Sequence, residues 1–240
     1  MLLLTACTQV GELTKADAQV IAINDSQGID SEIESLITLY RDSLELIMDK
    51  ELCQSLTDFP KVKGQTETRL GNLVADLCLE KGRQLTESKI DACMMNIGGL
   101  RSSLPTGSIT LGNVYELMPF DNELVLVTLP ANEVDSMFKY LAIKGGDPVS
   151  GITMGIKDAQ AVHPMIGDQA VETGKTYTIL TSDYLSNGGD NMTFFTEGHR
   201  VEIEFLGLKV RDAIAAHFTE KGNKGEAISG YLDNRIHHEE

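Results

Sequence analysis

At 240 residues and 42% hydrophobic composition, the chain can bury a core as one large domain, with or without an extension. Its 20 Lys and Arg against 36 Asp and Glu give a formal net charge of -16, which opposes sequence-independent binding to nucleic acid. An arginine fixed in a cleft can still hold a small anion, and no run of about twenty apolar residues offers a membrane-spanning helix.

In chain order, Leu4-Thr5-Ala6-Cys7 resembles the lipobox at which bacterial lipoproteins are cleaved and acylated. Residues 1–7 therefore read as a shortened lipoprotein signal with Cys7 as the lipidation site, the alternative being the first piece of a strand. Cys53, Cys78 and Cys93 have no metal-site or disulfide spacing, and Cys78 and Cys93, in apolar surroundings, read as buried free thiols. Ala18 to Ile23 reads as a short strand or bound arm. Asp30 or Ser31 caps a helix to about Lys50, with Ile33, Leu36, Ile37, Tyr40, Leu44 and Ile47 on a wide apolar face expected to pack into a core.

Leu70 to Lys81 reads as a helix stopped by Gly82, and Ile90 to Met95 as a short buried strand. Thr110 opens a helix that Pro119 ends, Glu123 to Leu129 alternates as a strand, and Asn132 caps a helix broken at Gly145-Gly146. Gly151 to Lys157 and Thr176 to Thr181 read as strands joined by a looser connection. Arg200 to Phe205 reads as a strand and Leu208 to Thr219 as a helix. Helices and strands mix without regular alternation, which points to an α+β architecture rather than a doubly wound sheet.

Two loops carry the chemistry. Asn96-Ile97-Gly98-Gly99-Leu100-Arg101 and Asn187-Gly188-Gly189-Asp190 each set a glycine pair, which permits close backbone approach, beside groups able to grip a ligand. Between them lies Pro119-Phe120-Asp121-Asn122, and just before the second comes Tyr184. Aromatic rings can sandwich a base, each stacking contact contributing about 1–3 kcal/mol. A carboxylate accepts both ribose hydroxyls, and an arginine complements phosphate. These residue types together suit a nucleoside. Taken singly, Phe120 could be a core aromatic, Asp190 a turn stabiliser and Arg101 a surface charge.

With these motifs in this order, together with Glu67-Thr68-Arg69-Leu70-Gly71-Asn72-Leu73, Asp76 and Asp233-Asn234-Arg235-Ile236, the chain resembles the C-terminal, substrate-binding domain of the 5′-nucleotidase and UDP-sugar hydrolase family. The resemblance implies an α+β fold with a layered α/β/β/α arrangement and mixed sheets. The domain would span 64–240, behind an N-terminal extension at 8–63 whose long helix packs on it. Phe120 and Tyr184 would clamp the base, Asp190 would bind the ribose, and Asn96 and Arg101 would contact the nucleoside and its phosphate side. Gly98, Gly99, Asn122, Asn187, Gly188 and Gly189 would complete the substrate site. Tyr184 stands where the family has phenylalanine, and a further arginine of some members has no counterpart here, Pro105 lying four residues beyond Arg101 and Gly64 to Thr66 holding no arginine. Gly71-Asn72 and Arg235 read as structural.

The family's two-metal motifs are absent from this sequence, and His163, His199, His217, His237 and His238 are scattered. No catalytic residue, metal ligand or cofactor is therefore assigned within it. The expected function is to bind a nucleoside or nucleoside 5′-phosphate in nucleotide catabolism, with divalent metals held by a separate metallophosphatase chain. The chain would lie in a bacterial cell envelope, periplasmic or on the outer surface, and meet the membrane only through Cys7. The alternatives are a non-catalytic nucleoside-binding lipoprotein at the cell surface and a degenerate domain kept for protein interaction.

Overall fold

The computed structural model describes residues 15–22, 24 and 28–240. Cys7 and Ile23 lie outside them, and residues 18–22 are exposed without regular structure. The chain divides into a unit ending at Ser43 and a unit from Leu44 to Glu240.

Helix α1 (Ser31–Met48) begins as expected at Asp30, whose carboxylate accepts from the amides of Glu32 and Ile33 at 3.0 and 3.2 Å. None of its residues is buried. Periodicity reports that a face is apolar and is silent on what covers it.

The second unit takes in residues assigned above to the extension: Leu52 and Cys53 of β1 (Glu51–Ser55), and Phe59, belong to its core. Next comes α2 (Arg69–Leu85), capped by Thr68, whose hydroxyl accepts from the Gly71 amide at 2.9 Å. The helix runs through Gly82 instead of stopping there. A Cβ at Gly82 would sit 3.0 Å from the Leu180 side chain, so this glycine serves close packing rather than termination. After β2 (Ala92–Met94) and β3 (Gly107–Thr110), a capping box between Thr110 and Asn113 opens α3 (Leu111–Leu117).

Strand β4 (Glu123–Pro130) leads directly into α4 (Ala131–Lys144), where Pro130, not Asn132, holds the cap position. Gly145, left-handed at φ 83°, ends that helix as expected. Then follow β5 (Val149–Ser150), β6 (Ile152–Lys157), β7 (Gln160–Ile166), β8 (Gln169–Ala170) and β9 (Thr176–Ser182). The segment expected to be loose thus pairs antiparallel with β6. The remaining elements are α5 (Asp183–Ser186), β10 (Glu202–Lys209), α6 (Val210–Asn223) and β11 (Ile236–His238).

Architecture is mixed α/β. A five-stranded sheet has the order β10-β4-β9-β2-β5, with β2 parallel to β9 and the other pairs antiparallel. A four-stranded sheet, β11-β6-β7-β8, is also mixed, and β1 pairs with β3. The period of two in β4 divides the core. Leu124 and Leu126 join the cluster built on α2 and α6, while Val125, Val127 and Leu129 join Val134, Met137 and Phe138 of α4. Helix α4 also packs against β7.

The Glu67-Asn72 and Asp233-Arg235 motifs form one latch, in keeping with the structural role expected of them. Glu67 accepts from the Asn72 side chain at 3.1 Å and from the Asn234 amide at 2.9 Å, and Asp76 binds Arg235 through both carboxylate oxygens. Cys53, Cys78 and Cys93 are free and buried; burial pushes the Cys53 and Cys78 thiols up to about 11 and about 12, which leaves them unreactive at neutral pH.

Candidate functional site

The two Gly-Gly loops meet. Asn96, at the exit of β2 and 7% exposed, donates from Nδ2 to Asp190 Oδ2 at 2.7 Å, closing a gap of 94 residues in the chain. Asp190 and Asn191 both lie in the left-handed region, at φ 51° and 64°. Aspartate and asparagine tolerate that region better than other side-chain-bearing residues, and strained backbone of this kind collects at ligand sites. The Tyr184 hydroxyl donates to Asp190 Oδ1 at 3.0 Å and lies 3.3 Å from the Asp190 amide. Its ring rests on Gly189, where a Cβ would overlap the ring carbons, so a glycine is required there by close approach.

The Asp190 carboxylate is therefore oriented by Asn96 and Tyr184, not by the amides of its own turn. A carboxylate has about four acceptor positions, so two remain for a ligand.

A cleft of about 320 Å3 opens between the loops, lined by Asn96, Gly98, Gly99, Arg101, Phe120, Asn122, Tyr184 and Asp190. Asn187, Gly188 and Gly189 do not line it. The Asn187 side chain instead donates to the Asp183 carbonyl at 2.8 Å, and Gly188 turns the chain at φ 88°. Their part is to shape the loop that presents Asp190.

Phe120 and Tyr184 are 41% and 46% exposed, so neither is a core aromatic, and both offer ring surface to the same cleft. The Arg101 guanidinium lies over the Phe120 ring at 5.7 Å from its centroid and makes no ion pair among the described residues. Its charge remains free for an anion.

Arg211, at the start of α6, was not legible in the sequence as part of the site. Only 8% exposed, it donates to the carbonyls of Pro119 and Phe120 at 3.2 and 3.4 Å, binds Asp121, and stacks on Tyr115 at 4.4 Å. This grip fixes the loop that carries Phe120. The Asp121 carboxyl sits below its ordinary pKa, chiefly through the bond from Arg211. Arg211→Met should weaken whatever ligand the cleft holds about tenfold, since the loop loses several charge-assisted bonds. Calorimetric titration checks this, and unchanged affinity would mean that the loop holds itself.

No group of three or more His, Cys, Asp or Glu among the described residues is placed to hold a metal ion. His199 lies 3.0 Å from Glu133 and His217 3.4 Å from Glu80.

Residues 53–197 match the family model for the 5'-nucleotidase, C-terminal domain. The chain belongs to this family. Among curated relatives, the trifunctional nucleotide phosphoesterase protein YfkN of Bacillus subtilis is 27% identical over 95% of this chain and 16% of its own length. A 5'-nucleotidase of Vibrio parahaemolyticus is 26% identical over 75% of this chain and 36% of its own. The solved 5'-nucleotidase precursor from Thermus thermophilus superposes with a TM-score of 0.73 at 22% identity, covering 87% of this chain and 43% of that one.

This 5'-nucleotidase C-terminal domain thus spans well under half the length of these relatives. The fold they share matches the α+β, mixed-sheet architecture expected from the sequence.

Proposed function

We propose that this chain holds the nucleoside half of a nucleoside 5′-phosphate while a metallophosphatase unit outside these residues supplies the metal-activated attack on phosphorus. The observation that carries the reading is the single cleft that gathers two exposed aromatic rings, an unpaired arginine and an oriented carboxylate. A base stacks between Phe120 and Tyr184, the ribose diol binds Asp190, and Arg101 faces the phosphate side. Asn96 and Asn122 supply neutral polar contacts at the rim. Membership of the family and the names of its relatives, phosphoesterase and 5'-nucleotidase, agree with that ligand class.

The protein's share of catalysis is then positioning: fixing the nucleoside places the phosphorus for in-line attack and lowers the entropic part of the barrier. Given AMP and Mg2+, Mn2+ or Zn2+, the chain alone should release no phosphate, and release should appear on adding a cognate metallophosphatase. Phosphate release by the chain alone would overturn the division of labour. Release by the mixture no faster than by the metallophosphatase alone would overturn the partnership.

A lipid anchor at Cys7 would hold the domain in the cell envelope, a reading supported by Leu4-Thr5-Ala6-Cys7. Intact-mass analysis of the protein from a bacterial envelope tests it, with an N-terminal acylated cysteine expected and an unmodified Cys7 contradicting it.

A further inference from the structure

Lys144, the last residue of α4, reaches both Gly-Gly loops at once. Its ammonium binds Asp147 Oδ2 at 2.5 Å, donates to the Tyr140 hydroxyl at 3.0 Å, and lies 3.8 Å from Asp190 Oδ2. Asp147, whose side chain is fully buried, accepts from the Ile97 amide at 3.0 Å through its other oxygen and so ties Lys144 to the first loop. Tyr140 donates onward to the Asp190 carbonyl at 3.1 Å and ties it to the second. Successive donors in one chain polarise and strengthen one another.

The approach comes from behind. Lys144 does not line the cleft between Phe120 and Tyr184; it lines a second cavity of about 280 Å3 that shares Gly98 and Asp190 with the first. It therefore approaches the Asp190 carboxylate, 3.8 Å from Oδ2, from the second cavity rather than from the cleft. The charges are uneven, since Asp147 and Asp190 are two carboxylates beside one ammonium. Without Lys144, a buried carboxylate would face Asp190 uncompensated. Burial alone would push the Lys144 pKa down, but its bonds to Asp147 and Tyr140 outweigh this and hold it above the ordinary lysine value. Burial also pushes the Asp147 carboxyl up, offset in part by Lys144.

We propose that Lys144 is a positioning residue that holds the Asp190 carboxylate oriented and charge-compensated for the ribose diol, and so sets the preference for ribosides over nucleosides lacking those hydroxyls. The inference rests on the nucleoside reading above and adds the residue that makes its ribose contact selective. A lysine that merely neutralised Asp147 would affect all ligands of the cleft alike. One that prepares Asp190 affects only those that use it.

The test is calorimetric titration of the full chain with adenosine and with 2′,3′-dideoxyadenosine, in wild type, Lys144→Met and Lys144→Arg. Lys144→Met should weaken adenosine about tenfold, the scale of one charge-assisted contact, and dideoxyadenosine by less than about twofold. Lys144→Arg keeps a cation able to reach both carboxylates and should restore most of the loss. Lys144→Gln, which keeps a donor without the charge, takes the place of the methionine variant if that fails to fold. Equal weakening of both ligands, or of neither, overturns the inference while leaving the nucleoside reading intact. A wild type that does not prefer adenosine over the dideoxy analogue overturns the ribose contact itself, and the inference with it.

Discussion

Asp190→Asn is expected to weaken adenosine and AMP binding about 100-fold while leaving the fold in place. On the proposed reading the ribose diol donates two hydrogen bonds to an ionised acceptor, each contributing about 1.5–3 kcal/mol, and a combined loss of about 3 kcal/mol is about two decades of affinity. Asparagine is the informative replacement because residue 190 sits at φ 51°, where asparagine is tolerated and alanine is strained. The amide can still accept from Asn96 or Tyr184 through its oxygen, so the loop keeps part of its support. What is lost is the charge and one acceptor. Titration with adenosine and with 2′,3′-dideoxyadenosine separates the two effects, because the dideoxy ligand makes no use of the carboxylate. A loss below about threefold for adenosine would contradict the ribose contact, since it is less than one such bond contributes. Equal losses for both ligands would assign Asp190 to loop shape.

Arg235→Met is expected to give the largest loss of stability, about 2–4 kcal/mol. The side chain is 7% exposed, and each of its five N–H donors has a partner. Nε and Nη2 bind Asp233 at 2.8 Å each, Nη1 and Nη2 bind Asp76 at 2.7 and 3.0 Å, and Nη1 also donates to the Val149 carbonyl at 2.7 Å. Burial works against the charge, but the two carboxylates outweigh it and raise the Arg235 pKa further above its ordinary value. Methionine fills much of the space yet strands a carbonyl and two carboxylates. Because both carboxylates are partly exposed, water recovers part of the cost, which is why the expected loss is not at the top of the range for a broken buried pair. Arg235→Lys should cost nearly as much, since a single ammonium cannot serve two bidentate partners. Urea denaturation checks both, and a loss under about 1 kcal/mol for methionine would show the latch to be incidental.

The same latch has a pH signature. The Arg235 bonds are the main cause of the lowered Asp233 pKa. A carboxylate whose folded pKa lies below its unfolded value contributes stability that is complete above the unfolded pKa. That contribution drains away as the pH falls from the ordinary aspartate range towards the folded pKa. Melting temperatures of the wild type should therefore fall more steeply below that range than those of Arg235→Met.

Where structure followed from local pattern, the sequence reported it well. Alternation in Glu123 to Leu129 marked the strand that divides the core, Thr110 marked a helix start, and the glycine pairs marked the loops that form the cleft. The failures have tertiary causes. Gly82 looks like a helix stop because its reason for being glycine is Leu180, far along the chain on β9. Strand β7 carries Pro164 and few buried residues, and proline within a run argues against a strand unless it lies at an exposed or irregular position. Arg211 gave no signal because its partners lie 90 to 96 residues before it. Lys144 and Asp147 stand at a helical i,i+3 spacing, but that spacing alone cannot show that Asp190 lies beside them.

Of the candidate residues, Asn96, Gly98, Gly99, Arg101, Phe120, Asn122, Tyr184 and Asp190 line one cleft, and Asn187, Gly188 and Gly189 do not. A Gly-Gly pair signals an unusual backbone without saying whether it touches the ligand or only bends the chain towards it. Here Gly188 bends the chain and Gly189 makes room for Tyr184.

The most direct measurement is a calorimetric titration of the wild-type chain with adenosine, in metal-free buffer and without any partner. Saturable binding of one nucleoside per chain, lost in Phe120→Ala and in Tyr184→Ala, is the expected result. Heats no larger than dilution at millimolar adenosine, with binding equally absent for AMP, would contradict the assignment of this cleft to a nucleoside.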